Sequence, residues 1–122
     1  MPAPVPAEPV VGITPPELSA LLAKRSRGEV DFLLIDVREP AEHAEQSIEG
    51  AVLIPAGEIR DGSAIGRLPR QTPIILHCHS GRRSAECAAV LMDAKFTGIS
   101  HLEGGIVRWL ELVDPSRRSR ED

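Results

Sequence analysis

The chain has 122 residues, 42% of them hydrophobic and 26% charged, with 14 basic against 18 acidic side chains and a net charge of −4. That length suits one domain around a single core. The acidic balance argues against a general nucleic-acid binder, for which a basic excess is expected, and no apolar run approaches the roughly 20 residues that would span a bilayer.

Residues 1–9 hold four prolines and almost no large apolar side chain, so an extended, flexible lead-in is expected there. The N-terminus lacks a basic start followed by a continuous apolar stretch, so no secretory signal is visible and a cytoplasmic location is expected. Val10 to Ile13 is expected as a first short strand. Thr14-Pro15-Pro16-Glu17 then reads as a helix start: Thr14 caps, prolines are tolerated in the first turn, and Glu17 stands where it completes a capping box. Leu18, Leu21 and Leu22 give this helix its apolar stripe, and Gly28 lies just past its end.

Phe32 to Val37 is short and apolar almost throughout, which fits a strand buried on both faces of a parallel sheet. A short helix over 40–46, a strand over 51–54 and a loop with room for a helical turn over 57–67 follow. A strand over 73–77, a helix over 84–94, a strand over 99–102 and a last helix over 106–113 complete the pattern. That last helix presents Ile106, Trp109, Leu110 and Val113 on one face. Strands alternating with helices imply right-handed crossovers and an α/β fold, with helices on both faces of a five-stranded parallel sheet. The folded domain is expected over 10–113, and the polar residues 114–122 as a disordered tail.

The chemistry concentrates where the 73–77 strand ends. Ile74-Ile75-Leu76-His77 runs into Cys78, and His79-Ser80-Gly81-Arg82-Arg83 leads into an alanine-rich helical pattern. A loop closing on a helix N-terminus points unpaired backbone N–H groups into its own hollow, and the helix dipole adds partial positive charge. A cysteine at its mouth is expected to be held as the thiolate, the nucleophilic form. His79 and Ser80 are expected to contribute backbone N–H groups, and Gly81 a conformation other residues resist. Arg83 in a first helical turn opposes the dipole, which favours an anion-facing role over simple solvation. Arg82 is balanced between the two. His77 ends a buried strand and is expected to hydrogen-bond structurally rather than act as a base. Asp36 and Arg38, at the carboxyl end of the preceding buried strand, are expected to brace the loop, since ligands of open α/β sheets gather at that end. Cys87 lies mid-helix among alanines and reads as a buried structural thiol. Two cysteines make no disulfide framework, and His43 and His101 have no metal-ligand spacing with them, so no metal is expected.

Cys78-x-x-Gly-x-Arg83 has one residue fewer between Cys and Arg than the loop of Cys-dependent phosphatases, whose Arg position falls here on Ser84. The shorter loop resembles that of the single-domain rhodanese (thiosulfate sulfurtransferase) family. Leu34-Ile35-Asp36-Val37-Arg38-Glu39 with Glu42-His43, Ile48-Glu49-Gly50-Ala51-Val52-Leu53-Ile54-Pro55, and Leu102-Glu103-Gly104-Gly105-Ile106 with Trp109 resemble the family's other signatures, in its order. Two positions depart from it: Ser47 stands where many relatives carry His, and Asp93-Ala94-Lys95-Phe96 replaces the usual Ala-Gly-Phe after the active-site helix.

The resemblance implies strand order 1-5-4-2-3 and a Cys78 persulfide as covalent intermediate. It implies that Arg83 binds the donor's sulfonate or steadies the persulfide, that the donor is thiosulfate or another persulfide, and that no cofactor is needed. The motif wording is also similar to the C-terminal rhodanese domains of bacterial adenylyltransferase-sulfurtransferases, which makes a sulfur-carrier protein or a thiol the candidate acceptor. A monomer is expected. The rival readings are a phosphatase-like enzyme and a non-catalytic docking module of the same fold.

Overall fold

A computed structural model describes residues 10–113; the lead-in expected over 1–9 and the tail expected over 114–122 lie outside the described residues. Five strands, β1 (Val11–Ile13), β2 (Leu33–Asp36), β3 (Val52–Leu53), β4 (Ile74–His77) and β5 (Ile99–Leu102), form one sheet in the order β1-β5-β4-β2-β3. Every pairing is parallel, with Asp36 opposite His77 and Leu76 opposite His101. This is the order the family resemblance implies.

Side-chain alternation explains why β2 and β4 read as continuous apolar runs. Leu34 and Ile75 point to one face, where they pack with Leu18 of α1 (Pro15–Ser26) and with Ile106, Trp109 and Leu110 of α5 (Gly105–Leu112). Ile35, Ile74 and Leu76 point to the other. There they meet Ile59 of α3 (Ala56–Arg60) and Cys87, Ala88 and Leu91 of α4 (Arg82–Asp93). With helices on both faces, no residue of the inner strands needs a polar side. α2 (Pro40–Glu45) follows β2.

Local signals act as the sequence suggests at α1: the Thr14 side chain accepts from the Glu17 N–H, and Glu17 reaches back to the Thr14 N–H at 2.8 Å. Two elements differ from expectation. α3 is the helical turn allowed within 57–67, begun one residue earlier at Ala56 because Ala56 and Ile59 drive it into the core behind Pro55. α4 begins two residues earlier than expected, so Arg82 and Arg83 form its first turn.

At the end of α4, Lys95 adopts φ 74°, while its N–H bonds Met92 O and that of Phe96 bonds Leu91 O, both at 3.0 Å. That is a Schellman closure with lysine at the left-handed position where glycine is favoured. Lys95→Gly is therefore expected to stabilise the protein by about 0.5–1 kcal/mol, the steric relief exceeding the entropy cost of glycine. A urea midpoint no higher than the parent's would contradict this.

Candidate active site

β4 delivers Cys78 to the carboxyl edge of the sheet, and the chain then turns into α4 through Gly81 at φ 110°. A side chain there would be strained by that φ, and its Cβ would lie 3.2 Å from the Gly104 nitrogen. The turn folds the helix N-terminus back over the sulfur. Cys78 Sγ accepts hydrogen bonds from the Gly81 N–H (3.1 Å) and the Ser84 N–H (3.3 Å), and Ser84 Oγ lies 3.5 Å away. These amides are among the orphan donors of the helix start, so the sulfur itself serves as the cap. Cys78 is only 1% exposed, which places the sulfur on the floor of the loop. The amides on it belong to Gly81 and Ser84 rather than to His79 and Ser80, whose side chains are exposed at the mouth.

The start of α5 supports this loop from the side. The Ile106 N–H donates to Cys78 O (2.9 Å) and the Val107 N–H to His79 O (3.1 Å). Such contact leaves no room for a side chain at Gly105, whose Cβ would press on the His79 carbonyl and lie 2.6 Å from that of Cys78. Gly104-Gly105 thus does more than turn the chain: it lets α5 dock on the Cys78 loop.

Arg83 and Arg82 separate clearly. Arg83 donates from both terminal nitrogens to the two oxygens of Glu42, at 2.9 and 3.0 Å. The fork-on-fork pair holds the Glu42 carboxyl down at about 2 from its ordinary 4.5, chiefly through the Arg83 hydrogen bonds, and raises the Arg83 pKa in turn. Its guanidinium is therefore spent on a carboxylate of α2, not on the hollow around the sulfur. The Arg82 side chain is 88% exposed and only 3.7 Å from Glu86.

At the carboxyl end of β2, Asp36 and Arg38 form a buried pair, 0% and 3% exposed. Asp36 Oδ1 accepts from Arg38 Nε (2.9 Å) and the Arg38 N–H (3.0 Å), and Oδ2 accepts from Arg38 Nη2 (2.7 Å). His43 Nδ1 lies 2.8 Å from Oδ2, and Arg38 Nη2 also donates to Gln46 O (2.6 Å). Burial alone would raise the Asp36 pKa, but the Arg38 and His43 hydrogen bonds and the nearby His77 outweigh it and hold the carboxyl at about 2. His77 is wholly buried, with Nδ1 3.3 Å from Cys78 O and Nε2 without a hydrogen-bond partner, 3.9 Å from Asp36 Oδ1. Burial pushes its pKa down to about 4, against the pull of Asp36.

Acid stability follows with a definite sign. The unfolded chain protonates His77 near 6.5 and the folded one only near 4, so about 3 kcal/mol of stability is lost as pH falls across that window. The depressed Asp36 adds about 2 kcal/mol that is present above its ordinary 3.8 and lost between there and about 2. Urea unfolding at pH 7, 5.5 and 4.5 is expected to show the midpoint falling, with a flatter profile in His77→Gln. An unchanged midpoint would contradict this.

Sequence reasoning assigns no role to Ser84 or His101. Ser84 is fully buried, and its hydroxyl touches Cys78 Sγ, Gly81 O (3.2 Å) and His101 Nδ1 (3.1 Å). The available signals were a serine at the phosphatase Arg position and a polar residue inside the short β5 run. Cys87 is buried in α4, and burial raises its pKa to about 11, as suits a structural thiol. Among the described residues, no helix is long and apolar enough to cross a membrane, and no group of three or more His, Cys, Asp or Glu could hold a metal ion.

The whole is a parallel α/β sheet with a cysteine nested in main-chain amides at a strand-to-helix turn. Residues 14–112 match the rhodanese-like domain, and the chain belongs to the rhodanese family. It is 40% identical over 103 residues to the probable adenylyltransferase/sulfurtransferase MoeZ of Mycobacterium tuberculosis, covering 84% of this chain but only 25% of that protein. It is 33% identical over 91 residues to a sulfurtransferase of Allochromatium vinosum, covering 75% of this chain and 83% of that one. Among solved structures, the human single-domain sulfurtransferase TSTD1 superposes with a TM-score of 0.69 at 25% identity, covering 87% of this chain and 98% of that one.

Proposed function

We propose that the protein is a sulfurtransferase that carries sulfane sulfur on Cys78 as a persulfide. The observation that supports this most is the pair of main-chain N–H groups, from Gly81 and Ser84, donated to Cys78 Sγ at 3.1 and 3.3 Å. Donors fixed on a sulfur favour its anion, and the same amides can steady the charge of a second sulfur attached to it. With thiosulfate as donor, the Cys78 thiolate attacks the outer sulfur; an Sγ–S bond forms, the S–S bond of thiosulfate breaks, and sulfite leaves with the electron pair. An acceptor such as cyanide or a thiolate then attacks the outer sulfur and Cys78 leaves again as thiolate. The balance closes with donor and acceptor alone.

The engagement of Arg83 by Glu42 favours this reading over a phosphatase-like one. A transferred phosphoryl group brings charge spread over three oxygens and calls for a cation in the hollow; a persulfide brings one negative sulfur, which amides can serve. Asp36 and Arg38 hydrogen-bond each other, His43 and the Gln46 carbonyl, and reach the loop only through the place of Asp36 opposite His77, the residue before Cys78. Exposed Arg82 is left as the cation at the mouth for an anionic donor. The sulfurtransferase names of the relatives point the same way, and the likeness to a quarter of MoeZ supports a sulfur-carrier protein as a second candidate acceptor.

Incubation with thiosulfate and cyanide is expected to yield thiocyanate and sulfite with turnover, and incubation with an aryl phosphate to release no phosphate. The reverse pattern would sink the proposal. Replacing cyanide by an adenylated carrier-protein C-terminus then ranks the acceptors.

A further inference from the structure

Ser84 Oγ has three polar neighbours and a single hydrogen. Cys78 Sγ lies at 3.5 Å, Gly81 O at 3.2 Å and His101 Nδ1 at 3.1 Å. A hydroxyl has one hydrogen to give and two lone pairs to receive, so these contacts saturate it, and the state of one neighbour dictates what the others can do. While sulfur carries its proton, S–H can donate to Oγ. An anionic sulfur can only accept, and the serine hydrogen must then choose between Sγ and the Gly81 carbonyl. A bare His101 Nδ1 would be a third competitor for it. A protonated Nδ1 removes itself from that competition and fills a lone pair of Oγ instead.

We infer that His101 is a positioning residue for the sulfur chemistry: by donating its Nδ1–H to Ser84 Oγ it turns the serine hydroxyl onto the anionic Cys78 sulfur, as a third hydrogen bond beside the two amides. The inference rests on the sulfur-carrying role proposed for Cys78. The competition with Gly81 O is won because a hydrogen bond to a charged acceptor is roughly twice as strong as one to a neutral carbonyl. His101 can serve from outside the loop because β5 lies beside β4, with His101 in register with Leu76, two residues before the nucleophile. Burial lowers the His101 pKa, against the pull of the Glu103 carboxylate, so the ring is neutral at pH 7 with one hydrogen to place. The same hydroxyl serves both half-reactions, since Cys78 is the attacking thiolate in the first and the leaving thiolate in the second.

The test measures single-turnover sulfur uptake from thiosulfate by intact mass on the full chain, in the parent and in Ser84→Ala, His101→Phe, His101→Asn and the Ser84→Ala/His101→Phe double variant. Ser84→Ala and His101→Phe are each expected to slow uptake about tenfold, the loss of one charge-assisted bond, with the half-saturating thiosulfate concentration unchanged. His101→Asn should recover to within about twofold, because its amide N–H falls where Nδ1–H was. The double variant should be no slower than Ser84→Ala alone, since a residue acting through the hydroxyl has nothing left to position. A phenylalanine variant as fast as the parent, an asparagine variant as slow as the phenylalanine one, or losses that multiply in the double variant would each overturn the assignment. Should His101→Phe unfold, His101→Gln replaces it, its longer amide overshooting the Nδ1 position. Alkylation of Cys78 by iodoacetamide needs no sulfur donor and should rank the variants in the same order. A parent that alkylates in this order yet takes up no sulfur would refute the sulfur-carrying role alone, and normal uptake with unranked alkylation would refute the positioning role alone.

Discussion

Cys78→Ser is expected to retain the fold and lose at least about 10³-fold of sulfur-transfer turnover, equivalent to roughly 4 kcal/mol of transition-state stabilisation. Serine is nearly the same size, and the Gly81 and Ser84 N–H groups that now donate to sulfur could donate to its oxygen instead, so the helix start keeps its cap. What is lost is chemical. A serine hydroxyl is scarcely ionised near neutrality, and a sulfur bound to oxygen is not the exchangeable carrier that a persulfide is. Cys87 cannot substitute, because it is buried in α4 and its pKa is raised to about 11. Thiocyanate formation beside an unfolding curve separates the two effects; a variant active within tenfold of the parent would refute the nucleophile.

Asp36→Ala is expected to cost about 3–5 kcal/mol of stability, the largest effect of any side chain that does not react, because it strands a buried guanidinium. Arg38 is 3% exposed and gives Asp36 two side-chain hydrogen bonds and its backbone N–H. Removal of the carboxylate leaves that guanidinium its hydrogen bond to Gln46 O and also unties His43. The loss is expected to be structural before it is catalytic: Asp36 sits opposite His77 in the sheet, and His77 adjoins Cys78. Urea unfolding at pH 7 measures it. A cost under about 1 kcal/mol would mean that Arg38 reaches water once Asp36 is gone, and would remove the pair from the account of the loop's support.

The sheet was legible because its signals are local and redundant. The apolar runs of β2 and β4 fit a strand covered on both sides, Thr14 and Glu17 announce α1, and the spacing of Cys78, Gly81 and Arg83 marks the loop. α3 was legible only as a helical turn within a loop, since two apolar residues behind a proline resemble an ordinary turn until the core claims Ala56 and Ile59. Within the site, sequence pointed to the Cys78 loop and to the Asp36–Arg38 pair as candidates but not to the partners that the fold brings to them. The Arg83 guanidinium meets Glu42, 41 residues earlier, and Ser84 meets His101, 17 residues later. Such pairings arise from strand order, which no local pattern encodes. The amides that cap the sulfur were likewise expected at His79 and Ser80 and lie at Gly81 and Ser84, because the left-handed turn at Gly81 decides which N–H groups point inward.

Intact-mass measurement of the full chain after exposure to thiosulfate tests most directly whether the amide-nested sulfur carries another. The expected result is a gain of one sulfur atom by the parent, its loss on addition of cyanide, and no gain by Cys78→Ser. A parent whose mass is unchanged by thiosulfate and by an alkyl persulfide donor, or a serine variant that gains the atom, would contradict it.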